Sequence, residues 1–508
     1  MSPGTPAGRR ESSSGQKTVA TNASATTVEP RAGLALPRPR TDAFLRSLGR
    51  ITLGSFFRKV EVVGIDRFPV AGPVIVVANH FNSLVDGAII TTFLPRMPRF
   101  LAASTVWDFK PIIPLLNAAG AVPVYRRQDG RHEESSLTDT FSKATELLAA
   151  GGILAIFPEG ISHNEPHMLP LKNGAARIAL EAEANHGRLG VKVVPVCLTF
   201  EAKNKFRSRV LVEIGEPIDV IADHPDKVRS SESRTQVSSA KDLTEQFCSG
   251  LESITPMHET WEEAHLIGLA AEMLAQPEPE SLSQRGLADA TASRRALREG
   301  YVWTRQFHPE KTAALRSDLT EYDRMLRAAG LQDDQVAAGR LTGSKMQFII
   351  QPLLSLFVRI PCAFVGLVLN WVPYRVLLAM SRRRDLDKRS TWSIFAGLFI
   401  FPAFWAIAAL VGGRLAAGYW GSTLGWAAGV TLLGLAPVTG KVTLTFIEVL
   451  SGVFADARAW RFFRTTTRQN DTLIRKRDII VEKLTALAEA FRAEHTVADP
   501  TNEPPNET

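Results

Sequence analysis

Two long runs without a charged residue constrain this chain more than any other feature of its sequence. Ser390 to Gly413 and Leu415 to Gly440 contain no Asp, Glu, Lys or Arg. A helix needs roughly 20 apolar residues to cross the hydrocarbon core of a bilayer, so each run is long enough to span it. A buried helical hairpin in a soluble domain is the alternative. The two runs predict an integral membrane protein with a membrane hairpin.

Basic residues flank this hairpin at both outer ends. The loop 375–389 carries six Lys or Arg against two Asp, more basic residues follow the second run, and the turn between the runs holds only Arg414. By the positive-inside rule both ends should face the cytoplasm. The apolar segment 346–374 is interrupted by Arg359 and Pro361. A single crossing there would place the preceding domain outside the cytoplasm, so we expect a re-entrant or double-crossing arrangement and a cytoplasmic N-terminal domain.

Composition and periodicity divide the remaining chain into segments of different kinds. We expect a disordered N-terminal tail rich in Ser, Thr, Pro and Gly, a basic amphipathic helix, an α/β domain, a polar helical insert or linker, the membrane domain, and a basic helical C-terminal segment with a disordered tail. These segments cover 1–40, 41–59, 60–220, 221–345, 346–450 and 451–508, in that order.

Short β-branched runs alternate with helical windows between Lys59 and Val220. Such alternation predicts an α/β fold, with a central mixed sheet whose faces are covered by helices. The expected strands are 60–63, 74–77, 152–157, 193–198 and 210–214, and the expected helices are 133–150 and 174–184.

The first candidate for chemistry follows the expected strand 74–77. Asn79 and His80 come directly after this strand, and Asp86 follows six positions beyond the histidine. A neutral imidazole can accept a hydroxyl proton near neutral pH, and a carboxylate on its other nitrogen fixes the tautomer. A histidine and an aspartate at this spacing also occur by chance, as a surface or capping pair.

Further candidates follow other expected strands. Gly120 precedes a short strand that ends at Arg126, whose guanidinium suits phosphate oxygens. Glu159 and Gly160 end another strand abruptly, and Arg207 precedes the last one. The histidines at 163 and 167 lack the glutamate of a metalloprotease helix, so we expect no metal site.

The overall charge and the cysteines exclude several classes of protein. The net charge is +7, but the basic residues flank apolar runs, which favours a membrane surface over a nucleic-acid partner. The three cysteines, at 197, 248 and 362, have no C-x-x-C spacing, so neither a disulfide framework nor a zinc site is expected.

Four segments in order resemble the motifs of the glycerolipid acyltransferase family, which includes glycerol-3-phosphate and lysophosphatidate acyltransferases. The resemblance covers roughly residues 60–220 and is strongest to the fungal-type glycerol-3-phosphate/dihydroxyacetone-phosphate acyltransferases and their bacterial relatives. In this branch, as here, five residues separate the histidine from the aspartate. Ile161-Ser162-His163 stands where many members have Thr-Arg-Ser. The matching segments are Asn79-His80…Asp86, Gly120…Arg126, Phe157-Pro158-Glu159-Gly160 and Val194-Pro195-Val196.

The resemblance implies acyl transfer from acyl-CoA or acyl carrier protein to glycerol 3-phosphate or dihydroxyacetone phosphate, in phosphatidic acid synthesis. His80 would be the general base and Asp86 would orient it. Arg126 would bind the acceptor phosphate, with Lys172 and Arg207 as alternatives. Glu159 would grip a glycerol hydroxyl or orient its loop. Asn79, Gly120 and Gly160 complete the candidate binding residues.

The resemblance implies no metal and no cofactor, because the thioester donor carries the activation. The partners are the donor, the glycerol-phosphate acceptor and the bilayer, with no nucleic acid. A lysophosphatidate or lysophospholipid acyltransferase is the nearest alternative. A non-catalytic membrane scaffold is the alternative of another class, and a lipid hydrolase lacks the expected G-x-S-x-G turn. The acyl chain length and the choice between coenzyme A and carrier protein stay open.

Overall fold

A computed structural model describes residues 38–125, 134–203, 205–220, 233–275, 286–339, 346–382, 386–465 and 467–497. Most of the N-terminal tail expected to be disordered lies outside these residues, and so does the end of the C-terminal tail.

A single mixed sheet forms the centre of the N-terminal half. Its strands are β1 Lys59–Val63, β2 Val74–Ala78, β3 Arg99–Ala103, β4 Val122–Val124, β5 Ile153–Ile156, β6 Lys192–Phe200, β7 Arg209–Ile214 and β8 Ile218–Asp219. The strand order is β1-β7-β6-β2-β5-β3-β4, with β8 also beside β6. Neighbours are parallel except that β6 runs antiparallel to β7 and β8. The α/β fold with a mixed sheet is therefore confirmed.

Helices cover both faces of this sheet. They are α1 Pro39–Phe56, α2 Leu84–Phe93, α3 Ile113–Ala118, α4 Glu134–Ala149 and α5 Gly174–His186. The central strand β2 is buried along its whole length, because its alternate side chains enter two separate cores. Val74, Val76 and Ala78 pack with α1 and α2. Ile75 and Val77 pack with α4 and α5 on the other face. The catalytic candidates at 79–86 thus follow a strand that is held firmly from both sides.

The polar region expected to be an insert or linker packs into a helical subdomain. Its helices are α6 Ser233–Glu252, α7 Trp261–Leu274, α8 Leu287–Phe307, α9 Pro309–Ala329 and α10 Asp333–Gly339. Side chains of α7, α9 and α10 share one core with α14 Thr467–Val497. Within that core Asp333 accepts hydrogen bonds from Tyr322 and Arg477. The C-terminal segment therefore returns to the middle region instead of forming a separate unit.

Three long helices follow: α11 Met346–Arg382, α12 Leu386–Trp420 and α13 Ser422–Thr465. Among the described residues, three stretches within them are long and apolar enough to cross a membrane: Arg359–Arg382, Arg389–Trp420 and Ser422–Thr465. The sequence had suggested that Arg414 lies in the turn between the last two helices. The turn instead lies at Gly421, and Arg414 is inside α12. The expectation of a re-entrant or double-crossing arrangement at 346–374 finds no support in the secondary structure, because one helix runs through this segment without a break or a reversal of the chain. Asn370 joins the three helices by accepting from Trp405 and donating to the carbonyl of Ala436.

Candidate active site

The loop between β2 and α2 brings the candidate histidine and aspartate together. His80 Nδ1 lies 3.0 Å from Asp86 Oδ2. The chain turns after His80, and α2 begins at Leu84, which points its first turn back toward the strand end. The backbone N–H of Asn82 donates to the same Asp86 oxygen at 2.7 Å. A separation of six residues therefore closes across a turn, as this spacing required.

Asp86 is fully buried, which sets its electrostatics. Burial raises the pKa of the Asp86 carboxyl, although the hydrogen bonds from His80 and Asn82 act in the opposite direction. The ring of His80 keeps 17% of its side-chain surface exposed, whereas Asp86 keeps none. The carboxylate is thus available to the imidazole and hidden from solvent. This is the arrangement in which a carboxylate fixes a tautomer and stabilises an imidazolium.

A second loop, which begins after β5, fastens the first one. Glu159 is buried, and its Oε1 accepts the backbone N–H of His80 at 2.8 Å. Its Oε2 accepts the backbone N–H of Leu169 at 2.8 Å and also faces His163 Nε2. Both oxygens of Glu159 are therefore engaged by the protein. Of the two roles expected for this residue, the geometry supports orientation of the loop and not contact with a glycerol hydroxyl.

Two further contacts hold the strand end and the histidine ring. The side-chain amide of Asn79 pairs with the backbone of Leu198 in both directions, at 3.0 and 2.7 Å. It therefore fastens the loop to β6 and is not available to a substrate through this amide. The ring of Phe157 stacks on His80, with centroids 4.1 Å apart and planes 8° from parallel. The imidazole is consequently fixed by one carboxylate and one aromatic face.

The His80 ring forms part of the wall of a large apolar cavity. The cavity has a volume of about 1020 Å³, at the upper end of the roughly 300–1,000 Å³ typical of ligand pockets. Helices α1, α2 and α3, the strand ends and α12, which contains a candidate membrane span, all contribute to its wall. The apolar residues at its periphery include Leu45, Leu48, Ile112, Leu115, Leu116, Ile394, Phe395 and Leu398.

Comparison with known proteins shows which family this domain resembles. Residues 59–199 match the family model described as Acyltransferase. This part of the chain is an acyltransferase domain.

Several relatives carry a similar domain. Glycerol-3-phosphate O-acyltransferase 2 of Saccharomyces cerevisiae is 32% identical over 45% of this chain and 29% of its own length. Glycerol-3-phosphate O-acyltransferase 1 of the same yeast is 26% identical over 53% of this chain and 36% of its own length. The 1-acyl-sn-glycerol-3-phosphate acyltransferase alpha of Bos taurus is 26% identical over 34% of this chain and 58% of its own length. The chain thus spans less than two thirds of each of these relatives.

Among the other residues expected to bind substrate, Gly160 and Lys172 lie in the cavity wall of the acyltransferase domain. Gly160 has a φ of +77°, and a Cβ at this position would come within 2.5 Å of Lys172 Nζ. Glycine is therefore needed here for both its backbone conformation and the approach of the lysine. Gly120 also has a positive φ, of 67°, and makes the turn before β4 without lining the cavity.

The two arginine candidates have different outcomes. Arg207 does not line the cavity; its guanidinium pairs with Glu448 of α13, with Nε 2.9 Å from Oε1. The structure gives no support to the expectation that Arg207 binds phosphate, because its Nε and Nη2 donate to the carboxylate of Glu448. Arg126 lies outside the described residues. The expectation that it binds phosphate therefore stays a prediction. Tyr125, directly before it in the chain, lines the cavity.

Sequence reasoning missed the contribution of the membrane helix to this site. Ser390 and Thr391, in the first turns of α12, hydrogen-bond to Asn82, and Ile394 belongs to the core of the acyltransferase domain. These residues stand at the start of an uncharged run, which carries a membrane signal and no signal for a site. The contact joins positions 308 residues apart, and no local pattern encodes it.

Proposed function

We propose that the protein is a membrane-bound O-acyltransferase that moves a fatty-acyl group from a thioester donor to the hydroxyl of glycerol 3-phosphate or dihydroxyacetone phosphate. The observation that carries this proposal is the orientation of His80: one ring nitrogen is paired with a buried carboxylate, and the ring itself faces a large apolar cavity. The yeast relatives, whose names state glycerol-3-phosphate acyl transfer, support this choice of acceptor.

His80 would act through Nε2, because Nδ1 is turned to Asp86. This nitrogen removes the proton from the acceptor hydroxyl. At the same time the hydroxyl oxygen forms a bond to the thioester carbonyl carbon. The tetrahedral centre then collapses, the carbon–sulfur bond breaks, and the imidazolium returns the proton to the leaving thiolate. Asp86 stabilises the imidazolium between the two proton transfers. General-base help of this kind contributes about 10²–10⁴-fold to the rate.

The apolar part of the cavity would hold the acyl chain. Its wall includes Leu48 of α1 and Phe395 and Leu398 of α12, so the chamber is shared between the domain and a helix with a candidate membrane span. An acyl chain placed there removes its methylene groups from water, which stabilises binding by about 0.8 kcal/mol for each group buried. The chain can therefore lie beside the bilayer while its thioester lies near His80.

Lys172 would bind the acceptor phosphate, together with Arg126 if the latter occupies the same wall. Among the described residues that line the cavity, Lys172 is the only Lys or Arg. It stands just before α5, whose first residues Gly174 and Ala175 also line the cavity. The first N–H groups of a helix have no partner within the helix and favour an anion, so lysine and helix act in the same direction.

The acyltransferase domain would face the cytoplasm. It contacts the start of α12 through Ser390 and the later part of α13 through Glu448. These are the ends of the membrane hairpin that carry the excess of Lys and Arg, which the positive-inside rule assigns to the cytoplasm. In this orientation α11 would not cross the bilayer a single time, although its length and composition would allow a crossing. Soluble acyl thioesters are then on the same side as His80.

The acceptor assay tests the proposal directly. The full chain in lipid nanodiscs is given a long-chain acyl-CoA with glycerol 3-phosphate, dihydroxyacetone phosphate or lysophosphatidate in parallel. We expect transfer to one of the first two, and a loss of at least about 10²-fold in His80→Ala. His186→Ala, at an exposed position late in α5, is the matched control and should retain full activity.

The other outcomes separate the alternatives. A clear preference for lysophosphatidate would support the function that the bovine relative's name states. Absence of transfer to any of the three acceptors, from acyl-CoA and from acyl carrier protein, would support a non-catalytic scaffold. Equal rates for the wild type and His80→Ala would refute the role of His80 whatever the acceptor.

A further inference from the structure

The first turns of membrane helix α12 touch the catalytic loop directly. The hydroxyl of Ser390 donates a hydrogen bond to Asn82 Oδ1, and the hydroxyl of Thr391 donates to the Asn82 carbonyl at 3.4 Å. Asn82 has no exposed surface, and Ser390 is 1% exposed. Water therefore cannot replace these hydrogen bonds if the helix changes its position, because the contact is closed to solvent.

Asn82 passes this contact on to the catalytic pair. Its backbone N–H donates to Asp86 Oδ2, and this same oxygen faces His80 Nδ1. A chain of three hydrogen bonds thus links the hydroxyl of a membrane helix to the imidazole. Displacement of Asn82 would move the donor that holds the carboxylate, and with it the orientation of the ring.

The backbone beside Asn82 requires such support. Ser83 has φ 49° and ψ −131°, a conformation that residues with a side chain rarely adopt. A conformation of this kind costs on the order of 1–3 kcal/mol and persists only where the surroundings enforce it. Asn82 is held on one side by α12 and on the other by Asp86, so it is the point at which the strained turn is fixed.

We propose that Ser390 is a positioning residue for the catalytic histidine, and that the docked membrane helix α12 thereby holds His80 and Asp86 in the geometry required for acyl transfer. This inference rests on the proposed function only in that it gives His80 its chemical role. The hydrogen-bond chain itself concerns the orientation of the ring and can be tested without any substrate.

The charged groups around His80 remain unchanged when Ser390 is replaced. Asp86 faces Nδ1, Glu159 accepts from the backbone N–H of His80, and Lys172 lies in the same cavity wall. Lys203 donates to the carbonyl of Phe81 beside it. His163, on the neighbouring loop, faces Glu159, and Arg389 precedes Ser390 in the chain. A change in the pH dependence of Ser390→Ala must therefore arise from altered geometry and not from a lost charge.

The test compares Ser390→Ala with Ser393→Ala in the full chain, reconstituted in lipid nanodiscs. Ser393 is the matched control, because its hydroxyl donates to the carbonyl of Arg389 in its own helix and has no other partner within the part of the chain that the structure describes. For Ser390→Ala we expect kcat to fall roughly tenfold, the effect of losing about one net hydrogen bond, with KM for the acceptor within about twofold. The midpoint of the acidic limb of the rate profile should move to lower pH, because a poorly oriented Asp86 stabilises the imidazolium less.

A second measurement does not depend on acyl transfer. The rate at which diethyl pyrocarbonate modifies His80 is followed against pH by mass spectrometry of the peptide that contains it. We expect the midpoint of this profile to move to lower pH in Ser390→Ala and to match the wild type in Ser393→Ala. If no acceptor is acylated by the wild type, the proposed function fails, and this profile still decides the role of Ser390.

Three results would overturn the inference. One is an unchanged midpoint in Ser390→Ala by both measurements. Another is an equal shift in Ser393→Ala, which would indicate a general disturbance of the helix. The third is a loss of activity that is fully explained by the folded fraction, measured by size-exclusion chromatography, with an unchanged midpoint.

Discussion

Two histidine–carboxylate pairs lie side by side in the acyltransferase domain, and they differ in what is left free. His80 turns Nδ1 to Asp86 and forms part of the cavity wall. His163 turns Nε2 to Glu159, and its Nδ1 accepts the backbone N–H of Glu165 at 3.2 Å. Both ring nitrogens of His163 are thus engaged, and since Nδ1 is an acceptor, the proton must be on Nε2. Only the first pair keeps a nitrogen with no partner among the described residues.

On the proposed mechanism, the same set of groups would serve chemistry in one loop and architecture in the next. The second pair is part of the support of the first. Glu159 also accepts from the backbone N–H of His80, and the backbone N–H of His163 donates to the backbone carbonyl of His80 at 3.2 Å. Rigid support around a reacting group keeps it within the narrow range of productive geometry. A histidine beside a buried carboxylate is therefore insufficient as a sign of catalysis, and a ring nitrogen without a partner at a cavity is the feature that favours His80 over His163 as the proposed base.

The largest effect that would test this comparison comes from Asp86→Asn. Its side chain keeps the shape and can still accept from Asn82, but it cannot stabilise an imidazolium by charge. We expect kcat with the preferred acceptor to fall by roughly 10²–10⁴-fold, with the fold retained. The measurement is kcat of the full chain in nanodiscs against wild type. Retention of kcat within about threefold would mean that Asp86 does not assist His80.

The same variant should change stability in a direction set by burial. Because burial raises the pKa of the Asp86 carboxyl in the folded state, the folded protein binds its proton more tightly than the unfolded chain does. The contribution of Asp86 to stability is then greatest below its unfolded pKa, about 3.9, and declines as the pH rises toward the folded pKa. Asn does not titrate. We expect the difference between the unfolding midpoint of Asp86→Asn and that of the wild type to shift in favour of the variant as the pH rises from 4 to 7.

Local pattern predicted much of this domain, and its failures have physical causes. The strands β2, β5 and β6 follow from apolar β-branched runs, whereas β3 was missed because it begins at Arg99. This arginine is 2% exposed and pairs with Asp42 of α1 at 3.1 Å, a partner that no local window contains. The motif around His80 was recognised by its residue types. The partners of Arg207 and Asn82, in contrast, come from the long apolar helices α13 and α12, hundreds of positions away.

His163→Ala should produce a smaller effect and of a different kind. It removes a donor from the buried Glu159, whose Oε2 then keeps only the N–H of Leu169. Loss of one partner of a buried polar group costs about 1–3 kcal/mol. We therefore expect a lower unfolding midpoint in detergent solution, while kcat per folded protein at low temperature stays within roughly tenfold. A loss of kcat equal to that of His80→Ala, in protein that remains folded, would erase the distinction between the two pairs.

The smallest predicted change concerns the two candidate phosphate ligands that the structure separates. Lys172 lines the cavity, and Arg207 is paired with Glu448. We expect Lys172→Met to raise KM for a phosphate-bearing acceptor at least about tenfold with a smaller change in kcat, because a charge-assisted hydrogen bond contributes roughly 1.5–3 kcal/mol. Arg207→Met removes an equal charge outside the cavity, so KM should stay within about twofold. Its partly exposed ion pair with Glu448 contributes only about 0–1 kcal/mol to stability, so the fold should be little affected.

The pair of variants separates local binding from general attraction of anions. If long-range attraction by a basic surface governed the acceptor, both variants would raise KM alike, and both effects would vanish as salt screens the charges. If Lys172 binds the phosphate at short range, its effect should persist at 0.5 M salt, since a contact pair in a cavity is screened less than exposed charges are. Equal, salt-sensitive rises in KM would remove Lys172 from the acceptor site and leave Arg126 as the remaining candidate.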